Sequence, residues 1–403
     1  MTMKTIEIAP GITWVGVEDF QRRMFDALIP LPHGTSFNAY LVKGKQKTAL
    51  IDTVHRSFEQ ELFGRIAAVT SVDSIDYLVM NHAEPDHGSS IPLVLAAAPK
   101  AMLVTTKKGA EMAEVFYRVP ESRRLVVKEG DTLDLGGKTL RFIDAPWLHW
   151  PETMFTFAVE DRVLFSCDFF GSHIASDRLL ADEVGDIVIP EARRYYAEIM
   201  MPFVNMVASG IDKTVAANPR IIAPSHGPVH ANPARIIAAY QQWARGPLAN
   251  KAIVPYVSMW GSTERLAQTV TSAISAEGVE AVPYDLMVAD VSHIASDLID
   301  ASAVVLGSPT VLGGLHPVAT NALTLVKALR PRVKLAAFFG SYGWGGGAAA
   351  QAKAVLEGAR FEVAAALEVK GPPGDKDLAD AVDLGRKVAR RVKENVSPGS
   401  GAA

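Results

Sequence analysis

The chain has 403 residues, of which 49% are hydrophobic and 21% are charged, so it is long enough for two globular domains. Its net charge of −4 gives no reason to expect a nucleic acid or an anionic membrane as a partner, and no apolar run reaches the roughly 20 residues that span a bilayer. The single cysteine, Cys167, excludes an internal disulfide and a cysteine-rich iron site, and we expect a cytoplasmic protein.

The first part of the chain alternates predicted strands and helices. Apolar runs at 37–42 and 48–53 flank the turn Lys43-Gly44-Lys45, which predicts a pair of strands. Further strands are predicted at 101–105 and within 125–159, and helices at 88–98, 107–117, 191–207 and 233–243.

The pattern changes after a glycine and proline break at Gly246-Pro247. Strands are predicted at 251–257, 281–285, 303–307, 333–339 and 361–369, with helices at 263–277, 293–301, 318–329, 347–359 and 377–392. Strands that alternate with helices predict a parallel, doubly wound sheet. We therefore expect domains at 1–249 and 250–395, followed by a disordered tail at 396–403.

A group of possible metal ligands follows the apolar run 75–80. His82, Glu84, Asp86 and His87 lie within six residues, in the turn after a predicted buried strand. Two imidazoles and two carboxylates suit divalent metals that accept nitrogen and oxygen ligands, such as iron, zinc or manganese.

Three later residues occupy similar positions, because His149, Asp168 and His226 each follow an apolar, strand-like run. For any one of them alone a structural role is favoured. The ordered set of four elements, each delivering its side chains at a strand end, is what predicts a metal site.

The pattern H-x-E-x-D-H, followed by His, Asp and His, resembles the metallo-β-lactamase superfamily, in which the second position is usually histidine. With Glu84 at that position it resembles the flavodiiron proteins, which are di-iron oxygen or nitric oxide reductases. The resemblance implies an αββα sandwich followed by a flavodoxin-like domain. It also implies one iron held by His82, Glu84 and His149, a second held by Asp86, His87 and His226, and Asp168 as the bridge.

The loop between the first strand and first helix of the second domain resembles the phosphate loop of flavodoxins. Its small residues let the backbone close around a phosphate at a helix N-terminus. Two glycine-rich loops follow the third and fourth strands, where open α/β sheets bind ligands, and their aromatic side chains can flank a flavin ring. The predicted FMN-binding residues are Ser258, Met259, Trp260, Gly261, Ser262, Thr263, Ser308, Pro309, Thr310, Gly313, Gly314, Ser341, Tyr342, Gly343, Trp344, Gly345 and Gly346.

The resemblance implies that oxygen, nitric oxide or both are substrates. No rubredoxin module or flavin reductase extension follows the second domain, so we expect a separate donor: rubredoxin, a flavin reductase or a reduced deazaflavin. A head-to-tail homodimer or a dimer of dimers is expected. No catalytic residue beyond the metal ligands is predicted, with His33 and Tyr195 as candidates for the layer behind them.

Two other functions compete with this one. A binuclear zinc hydrolase with an accessory flavodoxin domain would need a metal-bound hydroxide and no electron source. A carrier that uses FMN alone would not need the seven metal ligands. For the remaining histidines, at positions 55, 173, 230, 293 and 316, we expect structural or surface roles.

Overall fold

Two compact units, Met1–Gln241 and Gln242–Ala403, make up the chain in this computed structural model. The structure describes residues 5–396, so the tail predicted at 396–403 lies outside the described part except for Val396. The predicted domain limits of 1–249 and 250–395 stay a prediction. None of the described helices is long and apolar enough to cross a membrane.

The first unit contains sixteen strands and eight α-helices among its described residues, and the last of these helices continues beyond Gln241. The strands are β1 (Ile6–Ala9), β2 (Ile12–Trp14), β3 (Val17–Asp19), β4 (Met24–Phe25), β5 (Ile29–Pro30), β6 (Thr35–Phe37), β7 (Tyr40–Lys43), β8 (Thr48–Ile51), β9 (Tyr77–Val79), β10 (Met102–Thr106), β11 (Arg124–Val127), β12 (Thr132–Asp134), β13 (Thr139–Asp144), β14 (Met154–Ala158), β15 (Val163–Cys167) and β16 (Ile221–Pro224). The helices are α1 (Glu59–Val69), α2 (Pro85–Gly88), α3 (Ile91–Ala97), α4 (Lys107–Tyr117), α5 (Ala181–Val184), α6 (Val188–Tyr195), α7 (Val204–Ala217) and α8 (Ala234–Arg245).

Two sheets form the centre of this unit. One has the strand order β1-β2-β7-β8-β9-β10-β11 and the other β12-β13-β14-β15-β16. Side chains such as Tyr40, Phe142 and Phe165 form one apolar core that draws on both sheets. A second core joins the larger sheet to α1, α3 and α4. On the smaller sheet, Phe155 stacks on Phe169, which contacts Tyr240 of α8. The predicted αββα sandwich is confirmed.

The second unit contains seven strands and five helices among its described residues. They are β17 (Lys251–Tyr256), α9 (Ser262–Ala276), β18 (Glu280–Asp285), α10 (Val291–Leu298), β19 (Ala303–Gly307), β20 (Thr310–Val311), β21 (Gly314–Leu315), α11 (Pro317–Leu329), β22 (Leu335–Tyr342), α12 (Ala348–Leu356), β23 (Glu362–Lys370) and α13 (Asp375–Val396).

Its main sheet is parallel, with the strand order β18-β17-β19-β22-β23. This is the 2-1-3-4-5 order of flavodoxin-like folds, in which the ligand binds beside the first and third strands. One core packs the sheet against α9 and α13, and a second packs it against α11 and α12. The predicted doubly wound sheet is therefore confirmed.

The helical pattern predicted over 191–207 is confirmed, but the range is divided among several helical elements. The chain leaves α6 at Tyr195, passes through a wider turn at Tyr196–Met200 and a tight turn at Met201–Phe203, and enters α7 at Val204. Pro202 lies in this break, and proline has no N–H to continue the hydrogen bonding of a helix.

Candidate functional site

The seven predicted metal ligands lie at the ends of strands from both sheets of the first unit. His82 and Glu84 follow β9, and Asp86 and His87 lie in α2, which begins at Pro85. His149 follows β13, Asp168 follows β15 directly, and His226 follows β16. Each strand end is held by a sheet, so its side chains have little freedom to move apart.

The first group consists of His82, Glu84, His149 and one oxygen of Asp168, whose ligand atoms all lie within 4.8 Å of one another. Glu84 Oε2 lies 3.2 Å from His82 Nε2 and 3.1 Å from His149 Nε2. Asp168 Oδ2 lies 3.4 Å from each of the same two nitrogens. Two imidazoles and two carboxylate oxygens therefore point at one place.

The second group contains Asp86, His87 and His226, and its ligand atoms also lie within 4.8 Å of one another. Asp86 Oδ2 lies 3.1 Å from His226 Nε2, and Asp86 Oδ1 lies 3.5 Å from His87 Nε2. Asp168 joins this group through its other oxygen, because Oδ1 lies 3.0 Å from His87 Nε2 and 3.5 Å from His226 Nε2. One carboxylate thus reaches both groups.

A bend in the backbone precedes the shared carboxylate. Cys167, the last residue of β15, has a left-handed backbone with φ of 51°. Such a conformation is uncommon for a residue with a side chain and marks a functional or tightly constrained position. Cys167 also forms a third possible metal group with His87 and Asp168, and it is buried.

Hydrogen bonds to the outer nitrogens of two imidazoles determine which ring nitrogen faces the predicted ligand carboxylates. A carboxylate can only accept, so His82 Nδ1 donates to Glu152 Oε1 (2.7 Å) and leaves Nε2 available as a metal ligand. In the same way, His226 Nδ1 donates to the carbonyl oxygen of Ser36 (2.6 Å). Both oxygens of Asp86 and one oxygen of Asp168 are buried without a hydrogen bond. Buried acceptors that face imidazole lone pairs fit divalent cations such as iron or zinc.

The carboxylates of the site stabilise positive charge, because they raise the pKa values of three imidazoles. Burial alone would lower the pKa of His82, but hydrogen bonds with Glu152 and Glu84 raise it to about 10. Burial also works against the positive charge of His149, but Asp168 and Glu84 raise its pKa to about 10. The pKa of His87 is likewise raised to about 9 by Asp86 and Asp168 despite burial. In the metal-free protein, protons therefore occupy positions that a metal pair would take.

Several residues around the site were not found from the sequence. Glu152 lies three positions after His149 and accepts a hydrogen bond from His82, and only a search for carboxylates near the predicted ligands could have found it. His173 is buried, with ring centroids 5.2 Å from His226 and 4.8 Å from Tyr195. Phe25 of β4 contacts His173 and His226 at 4.6 Å and 5.7 Å between centroids.

The two residues predicted behind the ligands differ in position. Tyr195 is buried, and its ring centroid lies 5.9 Å from that of His226. The side chain of His33 is 42% exposed, and its Nε2 lies 3.8 Å from Glu191 Oε1. A role for either residue in the reaction stays a prediction.

The three predicted flavin loops lie at the carboxyl ends of β17, β19 and β22. Gly261, with φ of 85°, precedes the fifteen-residue helix α9 and turns the chain into it. Ser258 Oγ accepts hydrogen bonds from the backbone N–H groups of Gly261 (3.1 Å) and Glu264 (3.2 Å). The first loop is therefore a tight turn at a helix N-terminus, where an anion is stabilised.

The loops are joined to one another. Thr263 of the first loop contacts Ser341 of the third, with 3.0 Å between their hydroxyl oxygens. In the second loop, β20 and β21 form a short hairpin around Leu312 and Gly313, an element that the sequence had not predicted. A Cβ atom on Gly347 would lie 2.4 Å from the carbonyl oxygen of Gly313, so the third loop packs directly on this hairpin.

Open space and exposed apolar side chains lie beside these loops. Trp260, Leu312 and Trp344 are 88%, 99% and 96% exposed, although each is large and apolar. A Cβ atom added at Gly343 or Gly345 would meet nothing within 4 Å. A tight turn at a helix N-terminus, next to exposed indole rings and open backbone, fits FMN, which has one phosphate and a flat three-ring system.

Comparison with known proteins assigns both units. The model of the ODP family beta lactamase matches residues 35–227, and the flavodoxin model matches residues 254–385. Together they cover more than half of the chain.

Three similar proteins match nearly the whole chain. A nitric oxide reductase of Moorella thermoacetica is 37% identical over 396 residues, which cover 96% of this chain and 99% of the relative. The structure of rubredoxin oxygen:oxidoreductase from Desulfovibrio gigas matches with a TM-score of 0.94 and 32% identity, over 98% of this chain and 100% of the other. The flavodiiron protein of Giardia intestinalis matches with a TM-score of 0.92 and 31% identity, over 98% of each chain.

Proposed function

This chain belongs to the flavodiiron protein family, and from that premise we propose that it reduces oxygen to water, nitric oxide to nitrous oxide, or both. It is an oxidoreductase whose cofactors are FMN and two non-haem irons. When bound, two ferrous irons and fully reduced FMN supply the four electrons that oxygen needs, whereas joining two nitric oxides needs only two.

The observation that carries the proposal is the position of Asp168 between two groups of imidazoles. Its Oδ2 faces His82 and His149, and its Oδ1 faces His87 and His226. We assign Asp168 as the bridge between two metals, with His82, Glu84 and His149 on one side and Asp86, His87 and His226 on the other. In two-metal sites the ions usually lie about 3.5–4 Å apart, which suits a diatomic substrate.

The other residues of the site hold it in place. Asn81, next to His82, donates to Asp52 through its backbone N–H (2.8 Å) and its side chain (2.9 Å), which anchors the start of the ligand segment. Phe25, Tyr195 and His173 surround the ring of His226 and keep bulk water away from that side.

In the second unit we assign the FMN phosphate to the loop from Ser258 to Thr263 and the flavin ring to the two glycine-rich loops. The contact between Thr263 and Ser341 joins the phosphate loop to a ring loop, so one hydroxyl pair supports both parts of the cofactor site.

Metal analysis and a visible spectrum of the purified protein test this function. About two irons and one FMN per chain are expected. Protein that carries only zinc, and that stays inactive after reconstitution with iron, would instead favour the zinc hydrolase. Protein with FMN and no metal would favour the electron carrier.

The donor and the oligomer complete the proposal. Rubredoxin, a flavin reductase or a reduced deazaflavin would supply electrons, and the name of the Desulfovibrio gigas protein makes rubredoxin the first donor to assay. We propose a head-to-tail homodimer or a dimer of dimers, in which FMN of one chain serves the metals of the other. A two-fold interface of this kind is used twice and gives two equal sites. The cytoplasmic location stays a prediction.

Mixing two inactive variants tests the dimer. One carries His82→Ala with Asp168→Ala, and the other carries Ser262→Ala with Thr263→Val. If the cofactors of a working site come from different chains, mixed dimers recover one active site. If proven mixed dimers recover no activity, both cofactors of a site belong to the same chain.

A further inference from the structure

The outer nitrogen of the site imidazole His82 is held by a buried carboxylate. The nitrogen Nδ1 donates to Glu152 Oε1 over 2.7 Å, and the backbone N–H of Ala83 donates to the same oxygen over 2.8 Å. Glu152 is 2% exposed, and its Oε2 is buried without a hydrogen bond. One oxygen of this carboxylate therefore accepts hydrogen bonds from two neighbouring residues, His82 and Ala83.

Glu152 is itself fixed by its surroundings. Thr106 Oγ1 donates to the backbone carbonyl of Glu152 over 3.0 Å. The ring of Trp150 stands at 87° to the ring of His82, with 5.0 Å between centroids. The loop that contains His149 thus also contains Glu152 and Trp150, which both contact His82. Rotation of the Glu152 side chain would break its hydrogen bond with His82.

The second group of ligands lacks such a carboxylate. The outer nitrogen of His226 donates to the neutral carbonyl of Ser36, and the outer nitrogen of His87 is buried without a partner. Of the three outer nitrogens, that of His82 is thus the one that meets a carboxylate oxygen.

The ligand sets themselves do not distinguish the two sides. Each side has two imidazoles, one carboxylate of its own and one oxygen of Asp168, so their formal charges are equal. The contacts behind the ligands then decide which side is richer in negative charge. A carboxylate that accepts from an imidazole makes the other ring nitrogen a stronger electron donor, and a neutral carbonyl does so less.

We propose that Glu152 is a positioning residue that makes the two metal subsites unequal, so that the metal beside His82, Glu84 and His149 is oxidised first. The inference rests on the proposed function, since it requires that the site holds two irons. When ferricyanide removes one electron from the fully reduced pair, that electron leaves the metal of this subsite, ferricyanide is reduced to ferrocyanide, and the other metal stays ferrous.

A redox titration of the full-length protein with its iron and FMN tests the proposal. Electron paramagnetic resonance measures the half-oxidised iron pair at each potential, and absorbance follows FMN separately. The substitution Glu152→Gln keeps the size and one acceptor oxygen but removes the charge. We expect the equilibrium constant that favours the half-oxidised pair to fall about tenfold, which brings the two potentials about 59 mV closer. The control Glu111→Gln makes the same change at an exposed glutamate and should leave both potentials unchanged.

Iron content and Mössbauer spectra separate the possible outcomes. Glu152→Gln protein with two irons and an unchanged separation of potentials overturns the proposal. Loss of iron from the subsite of His82, Glu84 and His149 alone supports it, because a carboxylate behind a metal ligand typically changes metal affinity 10–100-fold, whereas loss from the other subsite alone overturns it. If the variant does not fold, the protein without the substitution still tests the proposal. Two irons that oxidise at one potential in that protein would overturn it. Unchanged protein without two irons refutes the proposed function instead.

Discussion

Replacing Asp168 by alanine is expected to remove the group that joins the two metal subsites. Its oxygens lie 3.0–3.5 Å from the Nε2 atoms of four imidazoles. We expect Asp168→Ala to lose reductase activity and to bind less iron, because each metal would lose one ligand. The FMN content should not change, since the flavin loops belong to the other unit.

The same change should destabilise the metal-free protein. At an effective dielectric constant of about 20, unit charges 3.0–3.5 Å apart attract each other by roughly 5 kcal/mol. The desolvation of both charges offsets much of this attraction. Removing one member of a buried pair costs about 3–5 kcal/mol, and we expect a loss of that size in the free energy of unfolding at pH 7.

Urea unfolding of the chelator-treated protein, followed by circular dichroism, measures that loss. The control Asp177→Ala changes an aspartate whose side chain is 88% exposed, and its effect should stay within about 0.5 kcal/mol. Oxygen and nitric oxide electrodes measure activity after iron is restored. Normal turnover by Asp168→Ala would show that the assignment of the bridge is wrong.

Three other changes probe the charges and hydrogen bonds of the two sites. The pKa values of His82, His87 and His149 are raised from 6.5 to about 9–10. The stability that these charged imidazoles add to the metal-free protein should therefore be complete below pH 6.5 and should be lost as the pH rises through 9–10. A urea midpoint that rises over this pH range would contradict the charge assignment. Thr263→Val removes the contact with Ser341 and should weaken FMN binding about tenfold, measured by flavin fluorescence. The control Thr269→Val removes another hydroxyl of the same helix and should leave FMN binding unchanged. Equal affinities of the two variants for FMN would count against the loop assignment. Thr35→Val removes the hydroxyl group that lies 2.9 Å from His173 Nδ1. It should lower the free energy of unfolding, measured in urea, by about 1–3 kcal/mol. A loss below about 0.5 kcal/mol would mean that this hydrogen bond is unimportant.

The sequence predicted the seven proposed metal ligands because each follows an apolar, strand-like run. Strands such as β15, all five of whose residues are buried, are recognisable as short apolar runs. A polar residue directly after such a run is held at the edge of a sheet, and the structure brings His82, Asp168 and His226 together there. The parallel, doubly wound sheet of the second unit was predictable because its strands and helices alternate along the chain, whereas the strand order comes from the structure.

Elements that depend on distant contacts were harder to predict. Strands β4 and β5 have two residues each, and their pairing places Phe25 against His226, about two hundred positions away in the chain. A pair this short carries no periodic signal of its own. The sequence predicted that 191–207 is helical, but it did not predict the change of helix type between α6 and α7, because the apolar spacing continues through Pro202.

Glu152 shows where sequence reasoning about a metal site ends. Its partner His82 lies 70 positions earlier, and its own neighbourhood is an irregular loop in which a glutamate is normally a solvent-exposed charge. Only the fold shows that the side chain is buried and that the outer nitrogen of one ligand, but not of its counterparts, points at it. Ligand identity follows local rules that a sequence displays, whereas the electronic difference between two subsites with equal ligands depends on tertiary contacts. For that reason, the order in which the two metals give up electrons should respond to Glu152 although Glu152 is not one of the proposed ligands.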